Sequence, residues 1–126
     1  MDINLYISVF MILSGLGIAG IWTVDIIKGR FARRGGFFYW REGENMLWPH
    51  ILAEYMTSLA LIIGAIGLYT EKEWGLNISL AALGALLYTA INSSGWVLAE
   101  KNRMSYGIPM WFSLAGAVIS LFILLS

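Results

Sequence analysis

His50 and Glu54 stand four residues apart, so on a helix they share one face, with Thr57 and Ser58 one turn further along it. An imidazole and a carboxyl at that spacing can pass a proton between them or hold a hydrogen-bonding ligand. They open an apolar run that continues to Tyr69. An ionisable residue at the centre of a membrane span costs about 2.5–3.5 kcal/mol on insertion scales, which makes function its default reading. Glu54 is therefore a candidate proton carrier or ligand anchor, with His50 as its partner. The competing reading is structural: Glu54 bonds Tyr88, Thr89 or Asn92 of another span, at about 0.6 kcal/mol per contact.

Other chemistries find less support. The chain has no cysteine, which removes disulfides, thiol redox chemistry and iron–sulfur ligation. One histidine makes no zinc site without several carboxylates, and haem would require a second axial ligand that no spacing supplies. Ser58 lies about two helical turns from His50, so no nucleophile–base pair forms and no oxyanion hole is evident. No catalytic residue, metal or cofactor is expected.

The elements that must position these residues are membrane spans. Of 126 residues, 59% are hydrophobic and only 13% charged, against about 25% charged in a soluble domain. Apolar runs at about 5–27, 47–69, 75–98 and 106–125 are each about long enough to cross a hydrocarbon core of ~30 Å. The first is longer than a signal-peptide core and no basic residue precedes it, so it reads as a permanent span. Pro49 and Pro109 are both expected in first turns, where a missing N–H is harmless. The fold class expected is all-α: a polytopic membrane protein, an antiparallel four-helix transmembrane bundle in a single domain, its later connections too short for any other arrangement.

The long connection, 28–46, begins with Lys28, Arg30, Arg33 and Arg34 and continues into Phe37-Phe38-Tyr39-Trp40. Aromatics beside arginines suit the headgroup zone. The segment reads as an interfacial loop or, more sharply, as a lid over an intramembrane site. Asp25, Trp40 and Trp48 are interfacial candidates, Asp25 capped by Lys28 or Arg30. The first and third connections hold seven basic residues, Lys28, Arg30, Arg33, Arg34, Arg41, Lys101 and Arg103, while the second holds Lys72 alone. The positive-inside rule then places those two connections in the cytoplasm and both termini outside the cell membrane. Trp22 and Asp25 of the first span, His50, Glu54, Thr57 and Ser58 of the second, Tyr88, Thr89, Asn92 and Ser93 of the third, and Ser105 and Tyr106 of the fourth consequently gather at one depth in the inner leaflet, as a polar cluster open to the cytoplasm. His50, Glu54, Thr57, Ser58, Tyr88, Thr89 and Asn92 are its candidate site residues, with a ligand or cavity expected between spans two and three.

Small residues recur at four-residue spacing in Gly15/Ala19, Ala60/Gly64, Ala81/Ala85 and Ser113/Ala117, a pattern that lets helix backbones approach. A zero formal net charge gives no reason to expect a nucleic-acid partner.

The run Ala53-Glu54 through Leu61-Ile62-Ile63-Gly64-Ala65-Ile66-Gly67-Leu68 resembles the second span of the DoxX-like small membrane proteins. There a glutamate opens a span that continues with leucines and a glycine pair. The plan of four spans with the long connection first is also similar. Trp22, Asp25 and Lys28 stand where that family's first span usually ends in glycine and then lysine. The resemblance implies an accessory role beside quinone-linked oxidoreductases or as a membrane chaperone. The His-x-x-x-Glu pair, facing Asn92 and Trp96, is also similar to the sterol-isomerase-like four-span fold, which moves a proton on a lipid. A second buried acid for that chemistry is not evident here.

The functional expectation is a non-enzymatic integral membrane protein that binds a lipophilic small molecule or a partner membrane protein through the Glu54 face, with membrane lipids around it. The alternatives are a proton-coupled transporter or channel formed by a homo-oligomer, and a lipid-modifying enzyme.

Overall fold

The computed structural model describes residues 3–27, 41–42, 45–46, 48–98 and 104–126. Four long helices make up nearly all of it: α1 (Ile3–Ile27), α2 (Trp48–Tyr69), α3 (Glu73–Leu98) and α4 (Met104–Leu125). Each is rich in Leu and Ile, apolar around most of its circumference, and long enough to cross a bilayer. A two-residue antiparallel ladder, β1 (Arg41–Glu42) with β2 (Asn45–Met46), precedes α2.

Three of the helices, α1, α3 and α4, begin two residues earlier than the hydropathy pattern predicts, and α2 begins one residue later. The start of α4 at Met104 moves Pro109 out of the first turn and into the body of the helix. Pro49 is the second residue of α2, where proline lacks nothing the helix needs.

Consecutive helices run antiparallel, and the close contacts establish it. Ser58 Oγ of α2 donates to the Gly15 carbonyl of α1, and further back along α2 Glu54 meets Trp22, further on in α1. Ser79 Oγ of α3 donates to the Gly64 carbonyl of α2 at 3.0 Å. One turn nearer the connection, Gly67 and Gly75 bring the two backbones into contact, with no room for a Cβ on either. Gly107 of α4 lies against Val97 of α3. Phe10 of α1 lies on Gly116 of α4, closing the ring.

The main core is a cluster drawn from all four helices: Ile7 and Met11, Leu61 and Ala65, Leu83 and Leu86, and Ala117. Outside it, large apolar side chains face away from the protein on every helix, among them Leu13, Leu16, Met56, Phe112, Ile119 and Phe122. A monomer in water rarely exposes apolar patches above a few hundred Å², whereas lipid accommodates them without cost. The chain is a multi-pass membrane protein and its fold is an all-α four-helix bundle.

The small-residue pairs sort themselves in three dimensions. Gly15 and Gly64 are buried at helix crossings, whereas Ala81 is exposed. The tightest crossings, Gly67 on Gly75 and Phe10 on Gly116, lie outside the predicted pairs. A glycine facing a neighbour's backbone or ring needs no second small residue four positions away.

Candidate functional site

Glu54 lies in the second turn of α2, only 6% exposed. Its neighbour across the helix pair is Trp22 of α1. The indole Nε1–H donates to Glu54 Oε2 at 3.3 Å. One turn back on α2, His50 Nε2 stands 4.0 Å from Glu54 Oε1, an ion pair when the imidazole is protonated and too long for a direct hydrogen bond. The His50 and Trp22 rings meet edge to face, with centroids 5.1 Å apart and planes inclined by 68°. Carboxyl, indole and imidazole thus form a closed triangle between α1 and α2.

A small satellite core holds the triangle in place. Ile51, fully buried, packs with Trp22, Ile26 and Tyr55, separately from the main cluster. Beside it the hydroxyls of Thr23 and Tyr55 lie 2.8 Å apart across the same helix pair. His50 is the open side of the triangle, its side chain 35% exposed against 7% for Glu54.

The accounting of Glu54's oxygens is uneven. Oε2 has the indole proton, but Oε1 is buried and has no hydrogen-bond partner. Leaving a buried acceptor unsatisfied costs about 1–3 kcal/mol, more when it is charged. Such an atom calls for a function or a missing donor.

The other expected site residues have different roles. Thr57 bonds back to the Ala53 carbonyl within α2 at 2.8 Å. Ser58 is spent on the backbone of α1. Both are buried, and neither reaches Glu54. Thr89 bonds the Leu86 carbonyl of its own helix at 3.2 Å. Tyr88 is 71% exposed, and Asn92 is exposed as well. The site expected between the second and third spans is therefore corrected: Glu54 turns towards α1, while Tyr88 and Asn92 turn outward. Asp25 is half-buried near the end of α1, and Trp48, the first residue of α2, is half-buried too. Trp40, the proposed lid and the capping of Asp25 by Lys28 or Arg30 lie outside the described residues.

Trp22, expected at this depth but not among the site residues, is the partner that Glu54 uses. Its signal was present: it is an indole donor within the polar end of the one span connected to α2 by a long segment. A second interhelical tryptophan bond lies at the same end of the bundle, from Trp111 Nε1 of α4 to Ser94 Oγ of α3 at 2.9 Å. Towards the other end, α3 and α4 form a groove of about 200 Å³ lined by Leu87, Val118, Leu121, Phe122 and Leu125. It contains no polar side chain and is suited to an acyl chain rather than to chemistry.

Residues 1–126 match the model of a family described as a domain of unknown function, DUF8058, and the chain belongs to that family. No curated protein and no solved structure matches it.

Proposed function

We propose that this member of the DUF8058 family is a non-enzymatic membrane protein that binds a lipophilic small molecule carrying a hydrogen-bond donor, and that the donor occupies Glu54 Oε1. The observation that carries the reading is the buried, unpartnered oxygen next to a half-exposed histidine. A ligand amide N–H or ammonium group, which donates and has no lone pair to accept with, satisfies an acceptor that the protein leaves unmet, recovering the desolvation already incurred in burying it. His50 is the movable cover: it is the member of the triangle that meets the surroundings, and rotation of its ring uncovers Oε1. Trp22 holds the carboxyl at its other oxygen, so the anchor is oriented before the ligand arrives. The basic residues of the first and third connections support an orientation in the cell membrane with this end of the bundle in the inner leaflet and both termini outside.

Glu54→Gln tests the reading. Trp22 claims the amide oxygen, which leaves the –NH2 donor pointing at the ligand's donor. The fold keeps its interhelical bond while the ligand meets a donor facing a donor. Wild type and variant are purified from the same membranes in mild detergent, and the retained small molecules are compared by mass spectrometry. The expected result is a species held by wild type and lost from Glu54→Gln and Glu54→Leu, with the Glu54→Gln melting temperature within a few degrees of wild type. Identical retained species in all three proteins overturn the proposal.

A further inference from the structure

We propose that α3 is a homodimerisation helix, pairing with α3 of a second copy through the face that carries Asn77, Ala81, Gly84, Tyr88 and Asn92. All five are exposed, and their spacing of three or four residues puts them on one side of the helix. Among the described residues, the side chains of Asn77, Tyr88 and Asn92 make no hydrogen bond. Tyr88 lies about 4 Å and Asn92 about 10 Å from the midpoint of α3, both inside the ~15 Å half-thickness of a hydrocarbon core. Lipid tails offer these groups no partner, and polar side chains in a span face protein or a water-filled cavity.

A second copy is the occupant that this chemistry selects. A carboxamide donates and accepts at once, so Asn92 is complementary to Asn92 across a two-fold axis along the membrane normal. Such an axis brings like residues of like-oriented copies together. Gly84, near the middle of the helix, has nothing within 4 Å of where a Cβ would stand. The partner helix can therefore approach backbone to backbone at mid-depth. The bundle carries its own comparison. Gly17 and Gly20 of α1 are equally open, but of the exposed residues around them Leu13, Leu16, Ile21 and Val24 are apolar and Thr23 already has the Tyr55 hydroxyl as its partner, so that face needs nothing beyond lipid. Polarity distinguishes the two glycine faces and points to α3. The proposal stands independently of any ligand at Glu54, which faces α1.

The chain contains no cysteine, so Ser126→Cys gives a single dye site at the exposed end of α4. Donor- and acceptor-labelled copies of the full chain are reconstituted together in phosphatidylcholine vesicles over a range of protein-to-lipid ratios. Energy transfer above the random-proximity level is expected, saturating as protein density rises. Gly84→Leu and Asn92→Leu, each in that background, should lower it several-fold, while Gly17→Leu leaves it unchanged. Gly84 points into open space, so its replacement leaves the fold intact, and an unchanged melting temperature confirms that. Transfer no higher than random proximity overturns the proposal, as does an equal response of the three variants.

Discussion

At the scale of single residues, the chain commits one buried carboxyl to a half-satisfied state. Trp22 supplies the only hydrogen bond to Glu54 among the described residues. Trp22→Phe keeps a ring against His50 but removes the N–H, leaving both Glu54 oxygens unpaired. The expected loss is about 1–3 kcal/mol, the desolvation cost of a stranded acceptor. Denaturant titration in detergent micelles measures it. In a Glu54→Leu background the same substitution should cost little, since no acceptor remains; equal costs in both backgrounds would show that the indole–carboxyl bond carries no energy. The partners of Glu54 are also where the sequence was least legible. Glu54 and His50 declared themselves as ionisable residues in a span. Which helix they face did not, because a helix apolar on all sides has no polarity difference to orient it within lipid.

At the scale of elements, crossings and caps govern. A side chain at Gly64 would start from a Cβ 3.0 Å from Ser79 Oγ and 3.1 Å from its Cα, so Gly64→Leu must drive α2 from α3. Its melting temperature in detergent should fall by many degrees, whereas Gly17→Leu, extending into open space, should match wild type. Unchanged stability in Gly64→Leu would refute the packing of these two helices. The cap of α2 makes a second prediction. Glu71 N–H bonds the Leu68 carbonyl and Lys72 N–H bonds the Gly67 carbonyl, the paired pattern that ends a helix in a left-handed residue. That residue is Glu71, with φ of 58°, at a position where glycine avoids a steric penalty of about 1–2 kcal/mol. Glu71→Gly should therefore stabilise the protein by about 1 kcal/mol in the same denaturant titration. A loss of stability would mean that the glutamate side chain contributes more than its backbone costs.

At the scale of the whole molecule, orientation and rigidity are linked to the same connections. The seven-to-one division of basic residues places the first and third connections together on one side. Single cysteines at Gly35 and Ser126 should react with a membrane-impermeant maleimide from opposite sides of sealed vesicles. Gly35 should label from the cytoplasmic side and Ser126 from the other. The reverse pattern would move the Glu54 triangle to the other leaflet, and labelling of both from one side would refute the crossing of all of α2, α3 and α4. The triangle lies where α1 and α2 come together at that end of the bundle, secured by Ile51 and the Thr23–Tyr55 contact. The far end is closed by Phe10 on Gly116.

The sequence by itself determined the number of spans, their order and their antiparallel course. Length against bilayer thickness and the shortness of two connections are sufficient for that. It also determined the register of α2 on α3, because the turn at Thr70–Lys72 leaves no slack. Only the tertiary structure decided rotation and the register of α1. In water, burial would have turned the apolar side of α3 inward and made Tyr88 and Asn92 readable as outward residues. In lipid both sides are apolar, and close fit at glycines and interhelical bonds decide instead. The long connection between α1 and α2 permits many registers, and the one adopted is selected by Gly15 under Ser58 and Trp22 against Glu54. That choice moved the candidate site from the second and third helices to the first and second.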